Sequence, residues 1–98
     1  MSDSSGFDWD EAKAEANYRK HRIDFETATE VFDDSFAVER LDSPSPDHGE
    51  DRYVITGMAG GRLLTVVYTE RGETIRLISA RPATRREHDD YYRQNSQE

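Results

Sequence analysis

The first third of the chain carries hydrophobic residues at the three- and four-residue spacing of a helix. Trp9 and Ala16 lie near one stripe, while the charged residues between them point elsewhere, so the spacing predicts a weakly amphipathic helix over about residues 10–21. Asp8 or Asp10 can cap its first turn by accepting a backbone hydrogen bond. Trp9 should then supply most of what this helix adds to a core.

A second, short helix follows from the same spacing. Phe25, Ala28 and Phe32 recur at helical intervals, and Asp24 with Thr27 three positions later can begin the helix without forming a full capping box. The first part of the chain is therefore predicted to hold two helices.

The hydrophobic period then changes to that of strands. Phe36, Val38 and Leu41 alternate with polar residues, which predicts a half-buried strand before a proline-containing loop over residues 42–51. Three further runs, rich in β-branched and aromatic residues, are separated by turns short enough for hairpins. They cover residues 52–58, 62–70 and 74–81, and they predict an antiparallel meander.

The sequence closes with a third helix. Thr84 and Glu87 form a Thr-x-x-Glu capping box, and the helix should carry His88, Tyr91 and Tyr92. The predicted fold class is α+β, with two N-terminal helices, a four-stranded antiparallel sheet and a C-terminal helix.

Length and composition limit the chain to one modest core. Its 98 residues leave room for a single domain, residues 1–98, whose ends at 1–6 and 94–98 we expect to be frayed. The absence of cysteine excludes disulfides and thiolate chemistry. The sequence shows no signal peptide and no apolar run near the roughly 20 residues that span a bilayer, so we expect a cytoplasmic protein without a membrane partner.

The charges are distributed unevenly. Between Arg52 and Arg86 lie seven of the thirteen basic residues and only two of the twenty-one acidic ones, although the net charge of the chain is -8. Such a cationic segment in an acidic chain indicates an anionic partner for one surface, and nucleic acid is the leading candidate.

Arginine suits this role because its planar fork binds phosphate oxygens in pairs and stays charged. In the last predicted strand, Arg76 and Arg81 should face opposite sides of the sheet unless a bulge intervenes, and Arg71 lies at the preceding turn. For any single arginine, a salt bridge or a solvated edge is the simpler explanation. Whether these groups converge depends on the fold.

Histidine offers a second kind of chemistry, since its reference pKa of about 6.5 permits proton exchange near neutral pH. His21 lies in a basic cluster at the end of a predicted helix, where the helix dipole favours cations and so accounts for the cluster without catalysis. For His48 and His88, a structural or solvated role is the simpler explanation. His48, Glu50 and Asp51 lie close together but in a flexible loop without the spacing of a zinc motif, so we expect no metal site.

Three segments of the chain share a characteristic order and spacing of residues. They contain Trp9, Asp10, Lys13, Asn17, Lys20, His21, Phe25, Ala28, Val31 and Phe32, then Glu50 and Arg52, then Thr69, Arg71, Ile75, Arg76, Ile78, Ser79, Ala80, Arg81, Ala83, Glu87 and Tyr91. On these residues the chain resembles, over roughly residues 7–92, the BrnT family, the toxin components of bacterial type II toxin–antitoxin pairs. One departure is Arg22, where the family usually has glycine.

The resemblance implies a RelE-like ribonuclease fold, cleavage of RNA that arrests translation, and a BrnA-like antitoxin of ribbon-helix-helix type that binds operator DNA. We expect metal-independent cleavage without a cofactor, in which arginines stabilise charge on the phosphate. The candidates for the phosphate are Arg71, Arg76 and Arg81. The candidates for proton transfer are Glu87 and His21, and those for the flanking RNA backbone are Lys13, Lys20, Arg62, Arg85 and Arg86.

Two alternatives remain open at this point. The chain could chiefly bind, docking onto an antitoxin as a corepressor in a DNA-bound complex. It could also contact DNA directly, although neither a recognition-helix pattern nor a basic helix is visible in the sequence.

Overall fold

The computed structural model describes residues 6–43 and 51–95. Its elements, in chain order, are strand β1 (Phe7–Asp8), helix α1 (Glu11–His21), helix α2 (Phe25–Ala28) continued by a 3-10 helix (Thr29–Asp33), strands β2 (Val38–Ser43), β3 (Arg52–Ala59), β4 (Arg62–Arg71) and β5 (Thr74–Pro82), and helix α3 (Arg85–Asn95). Strand β2 runs two residues into the segment predicted as a loop, and residues 44–50 of that loop lie outside the described residues.

The sheet has five strands, in the order β1-β5-β4-β3-β2, so the α+β class is confirmed but the prediction of four strands is wrong. Strands β3 to β5 form the predicted antiparallel meander, and β2 pairs antiparallel with β3. The additional strand, β1, pairs in parallel with β5, with Phe7 beside Ile75 and Asp8 beside Arg76. A strand of two residues is too short to give a periodic pattern, so hydrophobic spacing does not predict β1.

The core lies on one face of the sheet, beneath α2 and the 3-10 helix. Phe25 and Val31 from these helical turns are buried against Leu64, Val66 and other apolar side chains of the strands. Aromatic rings extend this core toward β1. The ring contacts, with their centroid distances, are Trp9–Phe25 at 5.7 Å, Phe7–Phe32 at 5.2 Å, Phe32–Tyr68 at 5.0 Å and Tyr53–Tyr68 at 5.6 Å.

Helix α1 is attached to β5 by the buried side chain of Asn17. Its amide donates to the carbonyls of Ile23 and Ala80 at 3.1 and 3.0 Å, and its oxygen accepts from the Ala80 N–H at 3.1 Å. Because β1 pairs with only the first part of β5, Asn17 satisfies backbone groups further along the same strand. This attachment fixes the distance between α1 and β5.

The predicted helix starts are confirmed. Asp10 accepts from the Lys13 N–H at 3.0 Å, and Asp24 accepts from the Thr27 N–H at the same distance. At α3, the Glu87 N–H donates to Thr84 Oγ1 at 3.1 Å and the Thr84 N–H donates to Glu87 Oε1 at 2.8 Å, which completes the reciprocal capping box.

Arg22 ends α1 in the left-handed conformation, with φ 60° and ψ 33°, and its N–H donates to the Tyr18 carbonyl at 2.7 Å. Glycine adopts this conformation at least cost. The position therefore keeps the geometry of a glycine cap although the residue is arginine. Its guanidinium lies 5.8 Å from the centre of the Tyr18 ring.

A bulge in β5 changes the faces to which its arginines point. Val67 pairs with Ser79, but the next residue, Tyr68, pairs with Leu77, so Ile78 is an extra residue in β5. Beyond the bulge, Arg81 lies opposite Thr65, and before it Arg76 lies opposite Thr69. Since Thr65 and Thr69 are four residues apart in β4, both arginines point to the same face, opposite the core.

Candidate functional site

A cleft of about 480 Å3 lies between α1 and β5. It brings together four of the residues that the sequence nominated, Lys13, Lys20, His21 and Arg81. Its remaining lining residues are Ala16, Asn17, Ile78 and Ser79. Among the described residues that line it there is no carboxylate, so its wall carries positive charge within an acidic protein.

The helical repeat accounts for one wall of this cleft. Lys13, Asn17 and Lys20 are separated by four and three residues, so they share a face of α1. Asn17 is bound to the backbone of β5, and it therefore holds the face with both lysines toward the strand. His21 is the last residue of α1 and lies at the same end as Lys20.

Arg81 forms the opposite wall and makes a two-pronged ion pair with Glu87. Its Nη1 donates to Glu87 Oε1 at 2.8 Å and its Nη2 donates to Glu87 Oε2 at 3.0 Å. The Arg81 side chain is 32% exposed, whereas that of Glu87 is 9% exposed. The carboxylate is thus enclosed by the protein, while the guanidinium still reaches the cleft.

The surroundings of Glu87 keep it ionised. Burial opposes ionisation, but hydrogen bonds from Arg81, the Thr84 N–H and the Thr65 hydroxyl outweigh it and lower the pKa of Glu87 to about 2. The same hydrogen bond with Glu87 raises the pKa of Arg81 above its ordinary value. The pair is a permanent ion pair at neutral pH.

A second cavity, of about 400 Å3, adjoins the ion pair on the side of α3. It contains Arg86, which the sequence nominated, and Arg40, which it did not. Nη2 of Arg40 lies 3.8 Å from Glu87 Oε2, and its side chain is half exposed. Arg40 lies among acidic residues on β2, outside the cationic segment, so its charge gave no signal in the sequence.

The other nominated cations lie elsewhere. Arg76 donates twice to Asp8, at 2.9 and 3.0 Å, across the pairing of β1 with β5. Arg62 and Arg71 begin and end β4, a separation of about 30 Å at the rise of a strand. Arg85 is exposed on the first turn of α3.

His48 and Glu50, the residues of the disfavoured metal site, lie outside the described residues. Within residues 6–43 and 51–95, no group of three or more histidine, cysteine, aspartate or glutamate side chains is placed to hold a metal ion. In the same ranges, no helix is both long enough and apolar enough to cross a membrane.

The chain matches a known protein family. A family described as "Ribonuclease toxin, BrnT, of type II toxin-antitoxin system" matches residues 9–87, most of the chain, and the matched range includes every cation of the cleft as well as Glu87. No curated protein matches the chain.

Proposed function

The chain belongs to the BrnT family of type II ribonuclease toxins, and we propose that it cleaves RNA without a metal ion, using the basic cleft between α1 and β5. The observation that carries this proposal is the convergence of Lys13, Lys20, His21 and Arg81 on one cleft. These side chains come from opposite ends of the sequence. The two lysines and the arginine supply positive charge, and the histidine is the candidate for proton transfer.

The proposed reaction is attack of a ribose 2'-hydroxyl on the neighbouring phosphate. The new bond joins the 2'-oxygen to phosphorus, and the bond from phosphorus to the 5'-oxygen breaks, which leaves a 2',3'-cyclic phosphate and a 5'-hydroxyl. His21 accepts the proton of the 2'-hydroxyl, and solvent protonates the leaving oxygen. Arg81 stabilises the charge that develops on the phosphate oxygens.

Glu87 has a different role in this proposal. A carboxyl group with a pKa of about 2 is ionised at neutral pH and has no proton to donate. Its two oxygens already accept from Arg81. We therefore assign proton transfer to His21 and assign Glu87 to holding Arg81.

Lys13 and Lys20 are proposed to hold the RNA backbone on the α1 side of the cleft, and Arg86 with Arg40 to hold it on the α3 side. Both cavities border the Arg81–Glu87 pair. An RNA strand that crosses this pair would therefore contact cations in the cavity on each side of it. As a member of a toxin–antitoxin family, the protein should be neutralised by an antitoxin. We propose a ribbon-helix-helix antitoxin, which also binds operator DNA.

The test is incubation of the purified protein with RNA in the presence of a chelator. We expect fragments that end in a 2',3'-cyclic phosphate and a 5'-hydroxyl, at a rate that the chelator does not change. Intact RNA, or cleavage that the chelator abolishes, would reject the proposed reaction.

A second candidate function is binding alone, in which the chain serves as corepressor within an antitoxin–DNA complex. The observation in its favour is that Arg76 and Arg81 are both paired with carboxylates, in a chain of net charge -8. Expression without a partner distinguishes the two functions. An active nuclease should stop growth and Arg81→Ala should relieve the arrest, whereas harmless expression of wild-type protein at verified levels would favour binding.

A further inference from the structure

A chain of hydrogen bonds runs from the middle of the sheet to Arg81. Thr56 on β3 and Thr65 on β4 join their hydroxyls at 2.8 Å, and Thr65 contacts Glu87 Oε1 at 2.8 Å. Thr56, Thr65 and Glu87 are 3%, 0% and 8% exposed. Three buried polar side chains from three elements thus lead to one partly exposed guanidinium.

The direction of these hydrogen bonds follows from the charge on Glu87. A carboxylate can only accept, so the single hydroxyl proton of Thr65 is donated to Glu87. Thr65 must then accept from Thr56, although the distance alone would allow either direction. The order of donation is therefore from Thr56 to Thr65 to Glu87. Glu87 Oε1 also accepts from the Thr84 N–H at 2.8 Å, so donors from β4 and from the start of α3 together orient the carboxylate.

This orientation decides which edge of Arg81 is occupied. A guanidinium can hold two oxygens at its end, through Nη1 and Nη2, or at its side, through Nε and Nη2. Glu87 occupies the end, and the Pro82 carbonyl accepts from Nη1 at 3.3 Å. In the described part of the chain, no acceptor is bound to Nε or to the second hydrogen of Nη2, which together form the side edge.

We propose that Thr65 is a positioning residue for RNA cleavage, holding Glu87 so that Arg81 presents its side edge, Nε and Nη2, to two oxygens of the scissile phosphate. The ion pair therefore preorganises Arg81 and leaves its second bidentate edge for the substrate. This inference rests on the proposed nuclease function and adds to it the atoms that grip the phosphate and the buried residue that orients them.

The variant that tests this proposal is Thr65→Val, which keeps the side-chain volume but removes the hydroxyl. Thr65→Ser, which retains the hydroxyl, is the rescue. Thr69→Val is the matched control, because it makes the same change at another buried threonine of the same strand and face. Thermal unfolding of all three variants shows whether each one folds.

In RNA cleavage, we expect Thr65→Val to lower kcat about tenfold or more while KM changes by less than about twofold, because the misplaced group acts on charge that develops in the transition state. Thr65→Ser and Thr69→Val should stay within about threefold of wild type. Equal kcat for folded Thr65→Val and Thr65→Ser would overturn the proposal, as would a loss in Thr65→Val that appears only in KM.

A second readout does not depend on cleavage. The probe is a short RNA with 2'-deoxyribose at the scissile position, titrated into labelled protein while the Arg81 Nε–H signal is followed by NMR, with Arg81→Lys identifying the signal. We expect the signal to shift on binding in wild type and Thr65→Ser, and to respond weakly in Thr65→Val. An unchanged wild-type signal would overturn the assignment of the side edge. Failure of wild type to cleave normal RNA, with this signal still shifting, would instead count against the nuclease function alone.

Discussion

Glu87 shows how one side chain can have a role that its residue type does not reveal. As the last residue of the capping box, Glu87 accepts from the Thr84 N–H at the start of α3. The same carboxylate binds Arg81 and accepts from Thr65. The sequence predicted the cap, because a cap depends on local spacing. It could not predict the other two contacts, which depend on how β4 and β5 lie beneath α3.

Glu87→Gln should destabilise the fold most at neutral pH. The folded-state pKa of about 2 lies below the ordinary value of 4.5, so the stability that the carboxylate contributes is present above about pH 4.5 and is lost as the pH falls toward 2. We expect a loss on the order of 2–3 kcal/mol near pH 7, because Arg81 loses its charged partner. Urea unfolding of wild type and Glu87→Gln at about pH 7 and about pH 3 measures this loss. If the two proteins differ in free energy of unfolding by the same amount at both pH values, the ionised Glu87 carboxylate does not stabilise the fold.

Arg22 provides a second test at the scale of one residue. The free energy of unfolding of Arg22→Gly should be about 1 kcal/mol higher than that of Arg22→Ala. Alanine in the left-handed conformation is strained, whereas glycine adopts this conformation without strain. Wild type should lie between them, since its contact with the Tyr18 ring offsets part of the strain. Thermal or urea unfolding gives the order, and equal stability of the glycine and alanine variants would argue against strain at this position.

At the scale of elements, the attachment of α1 to β5 forms the cleft. Hydrophobic spacing predicted α1 and β5 separately, but neither pattern indicates that an asparagine bridges them. Hydrophobic spacing also does not predict two further features of β5. The pairing of β1 covers only two residues, and the bulge at Ile78 depends on register with β4 rather than on the residues of β5 alone. Strict alternation along β5 would place Arg76 and Arg81 on opposite faces, and this bulge places them on the same face.

Asn17→Ala should therefore lower the free energy of unfolding by about 2–4 kcal/mol, because it leaves buried backbone groups of Ile23 and Ala80 without partners. Lys20→Ala, an exposed change on the same helix, should alter it by less than about 0.5 kcal/mol. The measurement is urea unfolding at neutral pH. A loss below about 1 kcal/mol for Asn17→Ala would show that Asn17 does not hold α1 in place.

In the whole molecule, the basic cleft combines residues that are far apart in the sequence. The cationic segment between Arg52 and Arg86 indicated a nucleic-acid surface, but of its seven cations, all within the described residues, only Arg81 lines the cleft. The other basic residues of the cleft, Lys13, Lys20 and His21, lie in the acidic first third of the chain. A linear count of charge therefore indicated the kind of ligand, whereas the location of the cleft required the packing of α1 against the sheet.

In the reaction that we propose, cleavage depends on Arg81 itself and not on basic charge in general. Arg76 is the matched control, because it lies on the same strand and face and is also paired with a carboxylate, but away from the cleft. The most direct measurement is the single-turnover rate of RNA cleavage, with chelator present, for wild type, Arg81→Ala and Arg76→Ala, each verified as folded. We predict a loss of about a hundredfold or more for Arg81→Ala and of less than about threefold for Arg76→Ala. Equal rates for the two variants, or a larger loss for Arg76→Ala, would show that Arg81 has no special role in cleavage.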